Sequence, residues 1–230
     1  MIIHRVVGPY YGLSIVIAIL IGLIYIYRNL RREKVDKKNI LYLILMMVPF
    51  IFTFGKIYTV ATHITEENNI LTVGISSYGG LIGAILASIV FEYIVPSKWK
   101  YLKYTILSLP LIYGLSKIAC TIVGCCYGIP YNGLFRVNYI DIHDEFVFPV
   151  QALEVLSNVL LFLILNRFKD NNNITYITMI SAATLKFSTD FLRHDHVNTM
   201  ITSNQIFSII LVVITIVIYI RNNKSIRHKN

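Results

Sequence analysis

Charge is what this chain has least of. Charged residues make up 14% of its 230 residues, against about 25% in an ordinary soluble domain. Set beside a hydrophobic share of 56%, that shortage excludes a soluble globular protein and a disordered chain. With only 3 cysteines, a disulfide-rich secreted module is excluded too. No internal repeat and no Gly/Ser linker is found, so 1–230 reads as a single transmembrane domain. Too little chain precedes the first apolar run for a basic signal-peptide head, and no small-residue cleavage site is evident, so that run is expected to be retained.

What the sequence does have is long apolar runs between clusters of charge. Seven are legible: Tyr10–Tyr27, Ile40–Val60, Leu71–Val95, Tyr101–Gly124, Pro149–Asn166, Thr175–Leu192 and Ile201–Ile220. Each has the roughly 18–25 residues that carry a helix across a hydrocarbon core of about 30 Å. A membrane barrel needs segments of about ten alternating residues, and these runs are apolar all round. A backbone in lipid must satisfy its own hydrogen bonds, so the runs are expected to be helices. The expected fold class is an all-α integral membrane protein of seven transmembrane helices.

Lysine and arginine set the orientation. Threading seven spans puts 15 basic residues on one side and 3 on the other, the 3 being Arg5, Arg136 and Arg193. The positive-inside rule then places the N-terminus outside and the C-terminus in the cytoplasm. Acids lean the other way, leaving +11 on the cytoplasmic side and −3 outside. The formal net charge of +9 is thus mostly a topology signal, and a nucleic-acid partner is not expected.

With Glu92 and Lys103, at the cytoplasmic ends of their runs, counted on that side, five charged residues remain inside the spans: Lys56, Lys117, Lys186, Glu154 and Asp190. A buried lysine costs roughly 2.5–3.5 kcal/mol near a span's centre. Threaded on the expected topology, all five fall in the outer leaflet. So do Tyr10-Tyr11-Gly12, Tyr78-Gly79-Gly80, Gln151 and Asn204-Gln205, while the cytoplasmic halves are nearly pure aliphatic and phenylalanine. Lys186, Asp190 and Arg193 share a helical stripe, as do Gln151, Glu154 and Asn158, and Lys117, Cys120 and Gly124. Three stripes facing one cavity would hold more ammonium than carboxylate, which suits an anion, and at that depth the abundant anion is a lipid phosphate.

Plainer readings stand beside this one. Lys56 alone reads equally well as a lysine snorkelling to its own interface. Lys186 and Asp190 also suit a structural ion pair, and Gln151 and Glu154 suit first-turn polar positions. Gly79, Gly83 and Ala87 repeat at helix-packing spacing, although Gly79 and Gly80 would also let a headgroup reach the backbone. Cys120, Cys125 and Cys126 follow a C-x4-C-C spacing that is not a usual zinc pattern. They read as small fillers, as a disulfide, or as a thiol activated by Lys117 one turn away. His63, His143, His194 and His196 fall in outer loops, with His194-Asp195-His196 the best placed to supply a base. The loop 125–148 is the longest outer loop, is acidic, and is expected to cap the site.

In chain order, Tyr11-Gly12-Leu13, Tyr78-Gly79-Gly80-Leu81-Ile82-Gly83, Gly124-Cys125-Cys126-Tyr127-Gly128, Pro149-Val150-Gln151-Ala152-Leu153-Glu154 and Lys186 through Arg193 resemble the landmarks of the prolipoprotein diacylglyceryl transferase family. The resemblance runs from about Tyr11 to Gln205. It implies a bacterial multi-pass protein of the cytoplasmic membrane that moves the diacylglyceryl unit of phosphatidylglycerol to the cysteine thiol of a lipobox precursor peptide. Such chemistry needs a cationic clamp on the departing phosphate and help in deprotonating the thiol. It requires no metal or soluble cofactor. The implied catalytic positions are Tyr78, Lys117, Cys120, Cys125, Lys186 and Asp190. The implied substrate-binding positions are Tyr11, Lys56, Gly79, Gly80, Gly128, Gln151, Glu154 and Arg193.

Several of these depart from the family pattern. Lys56, Lys117 and Lys186 stand where the family has arginine, and Asp190 where it has glutamate. Tyr78 replaces a histidine, while Cys120 and Cys125 replace an asparagine and a glutamate. Lysine keeps the charge but loses the planar fork that grips a phosphate. The resemblance therefore implies a remodelled transferase, either of the lipoprotein type or acting on a related acceptor or another anionic phospholipid. The alternative is a phospholipid-binding or transport protein on the same scaffold.

Overall fold

The computed structural model describes residues 2–3, 10–63, 76–139, 145–197 and 199–227. Seven long helices account for most of them: α1 Tyr10–Arg32, α2 Lys37–His63, α3 Ser77–Ile94, α4 Lys100–Val123, α5 Val150–Arg167, α6 Ile174–Asp190 and α7 Ser203–Arg227. Six of these are long and apolar enough to cross a membrane. The remaining one, α6, has 17 residues, about 25 Å at 1.5 Å per residue. Beside the helices stand a short 3-10 turn, His194–Val197, and two short paired strands, β1 Ile2–Ile3 and β2 Asn138–Tyr139. The run read from Leu71 begins as a helix only at Ser77, and 71–75 lie outside the described residues, as do Arg5, Glu66, Glu67, Asp141, His143, Asp144 and the side chain of His63.

The helices are built inside out relative to a soluble protein. On α5, Gln151, Glu154 and Asn158 are buried while Leu156, Leu160 and Leu163 are exposed. A helix in water would bury the leucines. Here the apolar face meets the surroundings and the polar face turns inward, as it must in hydrocarbon.

The chain forms two compact units. The first comprises Met1–Leu20 and Pro110–Asn230, and the second Ile21–Leu109. In the second unit α3 lies tight against α2. A methyl group on Gly79 would sit 2.2 Å from Phe54 O, and one on Gly83 would sit 2.4 Å from Phe50 O. Only glycine permits that approach, so the small-residue spacing is explained by packing. Ser76 caps α3 through the Tyr78 N–H at 3.2 Å, and its own N–H donates to Thr59 Oγ1 at 2.8 Å. The turn into α4 is organised by Glu92, whose carboxylate accepts from the N–H groups of Ser97 and Trp99, each at 2.6 Å. Lys98 and Trp99 in that turn take left-handed backbone angles, φ 60° and 64°, and the buried carboxylate holds them there.

In the first unit, α7 opens with a capping box. Thr202 Oγ1 accepts from Gln205 N at 3.2 Å, and Gln205 Oε1 accepts from Thr202 N at 3.1 Å. The described part of the loop 125–148 is tied down by isolated bridges, Gly128 to Arg193 and Val137 to Val147, over a small core of Val137, Tyr139 and Val147. Gly128 has its own reason to be glycine, since a side chain there would strike Phe148 O at 2.4 Å.

Candidate active site

Glu154 is the hub of the first unit. It projects from the second turn of α5 and is fully buried. Lys117 from α4 lies 3.1 Å from its Oε2, and Lys186 from α6 lies 2.8 Å from its Oε1. Tyr113, one turn before Lys117, donates its hydroxyl to Oε1 at 3.1 Å. Its ring lies beneath both ammonium groups, 4.9 Å from Lys117 and 5.7 Å from Lys186. Cation–π contact of this kind gains strength where water is excluded.

Asp190 continues the network. Its Oδ1 lies 3.1 Å from Lys186 and 3.8 Å from the Arg193 guanidinium. Its other oxygen accepts a hydrogen bond from Thr202 at the start of α7. Arg193 is not on a continuous helical stripe with Lys186, because α6 ends at Asp190. It reaches inward from the following turn, where its N–H bonds Asp190 O at 3.1 Å. Burial opposes its charge, yet the Glu154 and Asp190 carboxylates beside it help to hold its guanidinium above the ordinary arginine value. Three buried cations therefore meet two buried carboxylates, and the exposed Asp195 carboxylate lies 3.8 Å from Arg193 Nε at the rim. The buried part of the network carries one cation more than it has anions, which suits an anionic ligand.

Other expected site residues border this network. Tyr11 on α1 is within electrostatic reach of Lys117 and the three thiols. Gln151 is fully buried and donates to Cys125 O at 2.9 Å, anchoring the loop that follows α4. Burial pushes the Tyr139 phenol up to about 12, with a Gln151 hydrogen bond partly opposing. Cys120, Cys125 and Cys126 are free and half-buried. His194 packs on the Tyr127 ring with centroids 4.9 Å apart, and His196 Nε2 lies 3.0 Å from Gln205 Oε1. Both imidazoles thus have structural neighbours, and Asp195 between them is largely exposed.

Tyr78, Lys56, Gly79 and Gly80 belong to the second unit. Tyr78 is buried and stacks on Tyr58, with centroids 5.8 Å apart. Lys56 is half-buried on α2. Gly79 is accounted for by helix packing, whereas a side chain on Gly80 would meet only Ile51 Cγ2 at 3.4 Å.

Sequence reasoning missed Tyr113 and Thr202. Tyr113 was visible as the residue four before Lys117 on the same helical face. Thr202 was visible as the first residue of a T-x-x-Q capping box.

Apolar helices of membrane-crossing length, with a charged network buried among them, define a multi-pass helical membrane protein. Its sequence matches the profile of the prolipoprotein diacylglyceryl transferase family over residues 3–221, and the chain belongs to that family. It is 24% identical to a phosphatidylglycerol–prolipoprotein diacylglyceryl transferase of Finegoldia magna over 237 residues, covering 94% of this chain and 92% of the relative. A like-named protein of Clostridioides difficile is 23% identical over 81% of this chain and 79% of its own length. One from Listeria innocua is 27% identical over 68% and 62% respectively.

Proposed function

We propose that this chain transfers the diacylglyceryl group of phosphatidylglycerol to the cysteine thiol of a lipobox precursor peptide, at the outer leaflet of a bacterial cytoplasmic membrane. The single observation that carries this reading is the convergence of Lys117 and Lys186 on Glu154, with Arg193 behind Asp190. In this reading all seven helices span the membrane, the N-terminus lies outside, and 125–148 caps the site.

The reaction forms a bond between the peptide sulfur and the terminal glycerol carbon. It breaks the bond from that carbon to the phosphate oxygen, whose electron pair leaves with glycerol-1-phosphate. Lys117, Lys186 and Arg193 stabilise the charge gathering on the departing phosphate. Glu154 and Asp190 hold these cations at fixed positions before substrate arrives, so little reorganisation is left for the transition state. The thiol proton passes to a base. By resemblance Tyr78 occupies the family's histidine position, and Tyr78→Phe tests that role. Cys120 and Cys125 line the Lys117 side of the network. By resemblance, Tyr11, Gly128 and Gln151 add substrate contacts in the first unit, and Lys56, Gly79 and Gly80 occupy the family's substrate positions within the second.

The test is direct. Purified chain is incubated with phosphatidylglycerol and a lipobox peptide. The expected result is a peptide heavier by one diacylglyceryl unit and an equal yield of glycerol-1-phosphate. Lipid retained without turnover identifies a phospholipid-binding protein instead.

A further inference from the structure

The ion-pair network uses none of the three cysteines, yet the fold gathers them. Cys120 is on the last full turn of α4. Gly124 ends the helix with a left-handed φ of 72°, and Cys125 N–H closes back on Cys120 O at 3.2 Å. This six-residue closure returns the chain over the helix end. Cys126 follows in a left-handed conformation, φ 59°. The three Sγ atoms lie within 4.8 Å of one another.

That spacing is close to what a metal ion needs. An ion bound to three thiolates at about 2.3 Å each holds its sulfurs about 4 Å apart. Small side-chain rotations cover the difference. Among the described residues no histidine or carboxylate joins the group, so the donor set is sulfur alone. Zinc in protein sites takes a fourth ligand almost without exception. A soft monovalent ion accepts three thiolates.

The geometry points to a binding site for one monovalent copper ion, held by the thiolates of Cys120, Cys125 and Cys126 at the C-terminal end of α4. The site stands independently of the transferase reading. One Cu(I) and three thiols give a tris-thiolate complex of net charge −2 and release three protons to solvent. No electron is transferred.

The test uses the full-length purified protein under anaerobic conditions, with Cu(I) delivered from bicinchoninate as a competing chelator. The expected result is one Cu(I) withdrawn per chain, with thiolate-to-copper absorption in the near ultraviolet and only sulfur neighbours by X-ray absorption. Maleimide should label all three thiols in the metal-free protein and label them at least 10-fold more slowly after loading. Cys120→Ser and Cys126→Ser should each weaken retention at least 10-fold. The labelling arm needs no variant, so it remains decisive if a substitution disturbs folding. The proposal is overturned if copper stays with the chelator or if labelling is equally fast with and without copper. It is also overturned if fewer than three thiols react in the unfolded protein, or if the protein rejects Cu(I) and retains Zn(II) with a nitrogen or oxygen ligand.

Discussion

Lys186 Nζ lies 2.8 Å from Glu154 Oε1, a contact between α6 and α5 from which water is excluded. Lys117 meets the other oxygen of the same carboxylate at 3.1 Å, so two ammonium groups share one anion. A lone buried charge would cost several kcal/mol; sharing lowers that cost, and Lys186 gains a second carboxylate in Asp190 Oδ1 at 3.1 Å. An incoming phosphate therefore meets cations that are already oriented. That is a different arrangement from a row of free lysines, and it makes Glu154 as important to the site as the cations it holds.

Removing that carboxylate should be costly. Glu154→Gln keeps the shape but leaves Lys117 and Lys186 facing a neutral amide, and breaking a buried pair from one side costs about 3–5 kcal/mol. Thermal unfolding of the purified protein in lipid nanodiscs should show a marked fall in Tm, and Glu154→Asp a smaller one. An unchanged Tm for Glu154→Gln would mean that the network does not hold these helices together.

Lys186 offers a test that separates charge from shape. Lys186→Met should reduce conversion of a lipobox peptide at least 100-fold while phosphatidylglycerol still copurifies. Lys186→Arg keeps the charge and restores the planar fork, so activity should stay within about 10-fold of the native chain. If Met and Arg are equally inactive, the requirement at this position is steric and the phosphate-clamp role fails.

The hydrophobic runs made the helices legible from sequence, because hydrocarbon thickness dictates their length and backbone hydrogen bonding dictates their form. Lys117, Glu154, Lys186 and Asp190 were legible as a group for the same reason: charges in apolar runs must find one another. Arg193 was harder. Its spacing from Asp190 suited a continuing helix, but α6 stops at Asp190 and a turn carries the guanidinium inward. Thr202 was legible as a helix cap but its hydrogen bond to Asp190 was not, since it is 12 residues away at the start of another helix. Nor was the gathering of three thiols, because it depends on how Gly124 folds the chain back over the end of α4.

Gly79 and Gly80 are neighbours with opposite expected behaviour. Alanine at Gly79 would place its methyl 2.2 Å from a backbone carbonyl that cannot yield without moving α2. Overpacking of this kind costs about 1–3 kcal/mol, so Gly79→Ala should lower Tm clearly. At Gly80 the new methyl would meet Ile51 Cγ2 at an ordinary 3.4 Å, and alanine also favours the helix by about 1 kcal/mol. Gly80→Ala should therefore keep or raise Tm. If Gly80→Ala abolishes transfer while Tm holds, a headgroup contact with that backbone is supported. Full activity would remove Gly80 from the site.

Acid sensitivity can be traced to Glu33, just past the end of α1. Tyr104 donates to its Oε1 at 2.8 Å and Lys100 lies 3.1 Å from its Oε2. The hydrogen bonds from Tyr104 and Lys100 hold its carboxyl below the ordinary glutamate value. A depressed value means that the folded state favours the anion. The resulting stabilisation is complete above the ordinary glutamate pKa and fades as pH falls through the lower folded value. Both side chains of the ion pair are about one-third exposed, so the contribution at neutral pH is about 0.5–1 kcal/mol. Glu33→Gln should lower Tm slightly at neutral pH, and the gap from the native chain should close as the buffer is acidified. A gap that stays constant with pH would assign the effect to packing rather than to the charge on Glu33.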